Sequence, residues 1–307
     1  MFIQFNGQNH EAGFELTVRI KPLLRGEGTQ ESPYEIYYSD AWDLLCTNVA
    51  GGETYADKYF KQMADFTISQ GVGSDDHAFS GHYDGNGKTL TANITSSGTA
   101  APFGKVDGGT IKDLIVTGSV TTTMNSGADH SAGLIAKAAG TVSIDNVRVS
   151  ATVTGYNYYG GFIGHGGNNS TISMTGCVFD GTLTENADGS TQHAGGLIGW
   201  GDNMTITMSD CLFAGTSTIG TSGSGKRNFH PVGYHCIGNG ASVTLGLTNV
   251  YYTVAPSAQT YENNGVALSN ENVKQAYSIT TSDANVTALA ISGNPVEYNA
   301  RHQRQSR

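Results

Sequence analysis

The sequence predicts an all-β chain coiled as a parallel β-solenoid, with a short helix capping its N-terminal end. Three observations predict it. First, the chain spells nearly the same glycine string twice, YGGFIGHGG from Tyr159 and AGGLIGWGD from Ala194, with weaker echoes in SAGLIAKAA from Ser131 and HPVGYHCIG from His230. Second, a strand-like string follows each glycine string, and stacking these strings lines up their apolar residues. Third, Gly makes up 42 of 307 residues, about twice the usual ~7%, while charged residues are only 14%. Short apolar runs separated by Gly, Thr, Ser, Asn and Asp are the pattern of many short strands and tight turns.

The repeat sets the unit. Aligned on Gly133, Gly161, Gly196 and Gly233, with Pro102 in AAPFGKV as a degenerate first member, the spacings are 133 − 102 = 31, 161 − 133 = 28, 196 − 161 = 35 and 233 − 196 = 37. A self-similar period of this size marks a solenoid or a propeller. A propeller blade needs four strands over ~40 or more residues, so the shorter units favour the solenoid.

Each element then follows in order. Residues 1–30 form a lead segment. SDAWDLLCTNVAGG from Ser39 reads as one amphipathic helix over about residues 39–50. Ser39 is its expected N-cap, Trp42, Leu45, Cys46 and Val49 form one stripe, and Gly51 and Gly52 stop it. It would cover the open end of the coil, as solenoids require. The solenoid with its cap spans residues 31–253. Its strand strings put Leu114, Val147, Cys177, Cys211 and Val250 in one inner column, and Val116, Val149, Phe179, Phe213 and Tyr252 in another. Period two with one uniform face is a strand buried on one side. The glycine strings add a third inner column of Phe103, Leu134, Phe162, Leu197 and Tyr234. Asp113, Asn146, Gly176, Asp210 and Asn249 precede the inner columns, and these residue types tolerate left-handed turns. Between the two strand-string columns runs an outward one, Ile115, Arg148, Val178, Leu212 and Tyr251, which becomes apolar toward its C-terminal end. Residues 254–307 lose the repeat and form a closing segment or the start of a following module.

Composition excludes some functions. A net charge of −10 gives no basic patch for a nucleic-acid partner. No apolar run approaches the ~18 residues of a membrane span. No cofactor motif is present, and Cys46, Cys177, Cys211 and Cys236 lack metal-ligand spacing, so neither cofactor nor metal is expected.

The string GEGTQESPYEIYYSDAWDLLCTNVAGGETYADKYFKQMADFTIS, followed by FSGHYDGNGKTLTANI, resembles the opening of GLUG-motif proteins of bacterial cell surfaces. Gly26, Gly28, Thr29, Pro33, Tyr34 and Ile36 carry the first part of the resemblance. Phe79, Gly81, Asp84, Gly85, Gly87, Thr89 and Leu90 carry the second. Gly195, Gly196, Leu197, Gly199, Cys211 and Gly215 match the repeat. The resemblance implies a right-handed parallel β-helix in an exported or surface-anchored, adhesin-like protein, and no catalytic residues. The opening MFIQFNGQNH shows no signal peptide, so an extracellular or cell-surface location follows from the resemblance, and the chain is expected to be a fragment of a longer parent.

Several constellations invite chemistry. DGNG at Asp84–Gly87 lacks the further carboxylates of a calcium loop and reads as a tight turn. Cys177 and Cys211 would lie within Cα range of a disulfide, but parallel Cβ vectors strain such a bridge, and a reduced buried pair is expected. Three residues before the aligned glycines stand His130, Tyr158, His193 and His230. These read as a metal site without a clear third ligand or as a corner ladder of polar rings. Four residues after the glycines stand Lys137, His165 and Trp200. An outward Trp beside His and Lys is a way to hold a sugar ring; the alternative is a Trp partly buried under a loop. Along a straight strand the two ladders would be ~23 Å apart, so they are expected not to form one site.

The function expected is a non-catalytic extracellular or cell-surface adhesin or stalk module, taking a host or extracellular glycan, or a protein, on an exposed ladder. The alternative is a polysaccharide-degrading lyase or glycoside hydrolase on the same scaffold. Glycoside hydrolysis generally needs two carboxylates facing one bond. The outward columns offer Arg148 and Asp180 singly, Asp75, Asp76 and His77 read as a turn, and no GxSxG motif occurs.

Overall fold

The computed structural model describes residues 24–252, apart from 126, 128, 168, 187–192, 202, 219–232 and 234–242, together with the short strands Glu262–Asn263, Val266–Ala267 and Val273–Gln275. Within these residues the chain is a parallel β-solenoid of about six turns. One continuous ladder runs through Tyr34–Ile36, Tyr59–Gln62, His82–Ser96, Phe103–Thr122, Ile135–Val149, Thr171–Thr175, Thr205–Phe213 and Thr244–Tyr252. Its pairings are all parallel.

The register explains the uneven repeat. Tyr83, Ile111, Ile144, Met174 and Met208 stack in one buried column that continues to Leu247. Its steps are 111 − 83 = 28, 144 − 111 = 33, 174 − 144 = 30, 208 − 174 = 34 and 247 − 208 = 39. The coil path is constant, and the loops between strands absorb the difference.

The predicted inner columns are the core as far as the described residues reach; Tyr234 and the side chain of Tyr252 lie outside them. Leu114, Val147, Cys177 and Cys211 are fully buried, as are Val116, Val149, Phe179 and Phe213. The rings of Phe179 and Phe213 stack at 5.3 Å with planes 16° apart. Phe103, Leu134, Phe162 and Leu197 are also fully buried. Before the columns the chain turns a corner through the left-handed region, with φ of 51° at Asp113, 57° at Asn146, 61° at Gly176 and 54° at Asp210. That conformation places Cβ against the following carbonyl, so Asp, Asn and Gly are the types that take it at least cost. The Asn146 amide donates to Asp113 Oδ1 at 2.6 Å, tying two successive corners together. In DGNG the left-handed residues are Asn86 and Gly87, and the Asn86 N–H donates to Asp84 Oδ1 at 2.7 Å.

The helix spans Ser39–Ala50, and Trp42, Leu45, Cys46 and Val49 are its buried stripe. Its N-cap differs from the expected Ser39. Tyr38 takes that place in an extended conformation, with no side-chain cap bond, and Ser39 is already helical. Gly52, at φ 100°, lets the chain leave the helix. Trp42 meets Tyr83 and Phe103 edge-on at 5.8 and 5.5 Å, and its indole N–H donates to the Gln70 carbonyl. The helix thus closes the apolar interior of the first coils.

The outward column pairs in the expected order, Arg148 beside Val178, Val178 beside Leu212 and Leu212 beside Tyr251. Val178 and Leu212 are fully buried within a single chain. Most of the loop at 216–229, which follows this strand, lies outside the described residues. Among the described residues no helix is long and apolar enough to cross a membrane.

Candidate functional site

The site is made by glycines. At Gly161 the chain bends between the short strands Tyr158–Gly160 and Ile163–Gly166. Its N–H donates to the Gly196 carbonyl one coil on, at 2.7 Å. A Cβ there would stand 2.5 Å from that carbonyl oxygen and 2.6 Å from the Phe179 ring. Beyond the bend, a Cβ on Gly164 would lie 2.8 Å from the Ser131 carbonyl oxygen, and one on Gly199 2.6 Å from that of Tyr159. These positions require glycine for space, because the strand after the bend packs directly on the backbone of the strand before it.

This fold-back corrects the expected separation of the ladders. His130 pairs with Tyr158, and Tyr158 with His193. Lys137 pairs with His165, and His165 with Trp200. Both ladders have the expected register, yet they meet. Ring centroids are 5.2 Å apart for His130 and His165, 5.6 Å for Tyr158 and His165, and 4.7 Å for Tyr158 and Trp200. The straight-strand distance fails because the intervening residues turn back at Gly161. Of the second ladder, the His193 backbone is placed by pairing, while its side chain and all of His230 lie outside the described residues.

Tyr158 is the centre of the cluster. It stacks on His130 at 4.8 Å with planes nearly parallel at 6°, and on Trp200 with planes 27° apart. Tyr158, His165 and Trp200 are half-buried, whereas His130 is 9% exposed. Burial, with the nearby Lys137 and His165 charges adding to it, pulls the His130 imidazole down to about 3. His130 is therefore neutral at physiological pH. Beneath it, the buried Asp129 carboxylate accepts from Ser131 Oγ at 3.0 Å and from the Tyr156 N–H at 3.1 Å.

Lys137 is not a solitary cation. Its ammonium donates to both oxygens of Asp75 at 2.6 Å, and that bond holds the Asp75 carboxyl below its usual range. The Asp75 segment is the turn expected, closed by the Ser74 N–H on the His77 carbonyl. It also brings a carboxylate to the corner from 62 residues away, a contribution no local sequence signal announces.

The other candidates are internally satisfied. Arg148 and Asp180 pair with each other at 3.1 Å, and Ser150 Oγ donates to Asp180 at 2.6 Å. Cys177 and Cys211 are free thiols donating to the carbonyls of Thr175 and Ser209, and burial pushes the Cys177 thiol well up.

No family model matches the chain, and no curated protein sequence matches it. Among solved structures it is similar to one described as "a putative immunoglobulin A1 protease from Bacteroides ovatus", at 16% identity and a TM-score of 0.50. The likeness covers 80% of this chain and 81% of that one. At that identity it shows the fold alone, and the fold is the β-solenoid.

Proposed function

We propose that the chain is a non-catalytic module of an exported or cell-surface protein of the GLUG-motif type, and that its corner cluster holds a sugar ring of an extracellular glycan. The observation that carries this reading is the meeting of half-buried Tyr158, His165 and Trp200 beside the Lys137–Asp75 ion pair. Aromatic rings offer apolar surface to the C–H face of a pyranose. The ion pair offers a donor and an acceptor for its hydroxyls, and the neutral imidazole of His130 adds no charge. Of the glycines that shape the corner, Gly199 is also one that carries the family resemblance. The fold likeness to a protein described as an immunoglobulin A1 protease is in keeping with export; the proteolysis in that description is not carried over.

A glycan array followed by titration of the strongest binder tests the reading. Trp200→Ala is expected to abolish binding and leave the circular dichroism unchanged. Retained binding in that variant would remove the corner from the function, and sugar released from the glycan during incubation would replace the module by an enzyme.

A further inference from the structure

A second surface lies on the outer face of the first coils, and none of its residues belongs to the corner cluster. It is an open groove of about 680 Å³, lined among others by Glu35, Tyr59, Lys61, His82, Asp84 and Lys112. Its volume is within the range of small-molecule sites.

The register gives the groove its character. Glu35 pairs with Lys61, Lys61 with Asp84, Asp84 with Lys112, and Lys112 with Asp145. The result is a column of alternating sign with a rung every ~4.8 Å. Lys112 Nζ stands 3.3 Å from Asp84 and 3.4 Å from Asp113. Burial pulls its ammonium down, but the two carboxylates outweigh that and hold it above the usual lysine range. Lys61 has no carboxylate within 4.0 Å among the described residues, although acidic residues pair with its backbone on both sides. Beside this column, Tyr59 and His82 stack at 4.5 Å with planes 22° apart. Beyond Asp145 the column continues without charge through Thr175, Ser209 and Thr248.

We propose that this groove binds a linear, uncharged polysaccharide running along the solenoid axis. The alternating column decides the class. A polyanion or polycation meets a repelling charge at every second rung, whereas a chain of neutral hydroxyls donates to Glu35 and Asp84 and accepts from Lys61 and Lys112. The Tyr59–His82 stack supplies apolar surface for C–H faces. The hydroxyl rungs extend the same track beyond the groove, which suits a polymer better than a single sugar.

The test is affinity electrophoresis and calorimetric titration with soluble neutral polysaccharides, namely β-glucan, glucomannan and xylan, against polygalacturonate and chitosan. The neutral set is expected to bind, with affinity falling about tenfold in Tyr59→Ala and severalfold in Lys61→Gln. Lys61 is half-buried on the open groove and Gln is close to it in size, so that variant is expected to keep the fold, and thermal melting checks both variants. The Tyr59→Ala loss is expected to be the same in a chain that also carries Trp200→Ala, which separates the groove from the corner. Three results would each overturn the proposal: no binding to any neutral polysaccharide, tighter binding to either charged one, or a Tyr59→Ala loss that vanishes when Trp200 is replaced.

Discussion

The imidazoles of His130 and His165 face each other with centroids 5.2 Å apart and planes inclined by 28°. They belong to successive coils and to two ladders that a straight strand would hold ~23 Å apart. One bend at Gly161 makes the difference. The residues before it and after it lie back to back, and glycines at 164 and 199 leave room for that approach. The repeated glycine string therefore encodes a corner whose outer surface gathers the rings of three coils.

The steric role of Gly161 gives a paired prediction. Gly161→Ala places a methyl group against a backbone oxygen and a core ring that cannot both move, and it is expected to cost about 3 kcal/mol. Gly98→Ala meets nothing within 4 Å and is expected to stay within about 0.5 kcal/mol of the parent. Urea denaturation of both variants checks the contrast. Equal stabilities would show that the bend does not depend on the missing side chain.

The stack of Phe179 on Phe213 tests the core column. Phe213 is fully buried, so Phe213→Ala is expected to cost about 3–5 kcal/mol by lost transfer energy and the cavity left behind. Chemical denaturation measures it, and a loss below ~1 kcal/mol would remove the residue from the core.

His130 makes stability fall in mild acid. The folded protein keeps this imidazole neutral down to about pH 3, while the unfolded chain protonates it near its ordinary value of ~6.5. The unfolded state thus binds the extra proton between these values, and stability drops as pH falls below ~6.5. From pH 7 to 5 the loss is expected to reach at most about 2 kcal/mol. The charged and titratable groups around His130 are Lys137, His165 and Asp75, the Tyr158 ring stacked on it and the adjacent Asp129 carboxylate. His130→Phe keeps a ring in the stack and removes the titration, so the acid-induced loss should shrink by that amount. An identical pH dependence in both proteins would contradict the assignment.

The core was legible because its signal is local and repeated. Leu114, Val147, Cys177 and Cys211 share a column at period two, and each coil restates it. The left-handed corners at Asp113, Asn146, Gly176 and Asp210 were legible through residue type. The N-cap was misplaced by one residue because Ser39 is the better capping type, yet the extended backbone falls at Tyr38. The corner was illegible because spacing counts residues along a strand and cannot show that Gly161 reverses it. Asp75 was hidden for a different reason: its partner Lys137 lies two coils away in space and 62 residues away in sequence. The charged column begins at Glu35, Lys61 and Asp84, in coils without the glycine string, and its alternation of sign is visible only once those coils are paired with Lys112 and Asp145.

The convergence of the two ladders is tested most directly by a double-mutant cycle on His130 and His165, read by chemical denaturation of His130→Ala, His165→Ala and the double variant. Rings in contact share an interaction that either substitution removes, so the effects are expected to fall short of additivity by about 1 kcal/mol. Single effects that sum to the double within about 0.3 kcal/mol would place the two rings apart and contradict the shared corner.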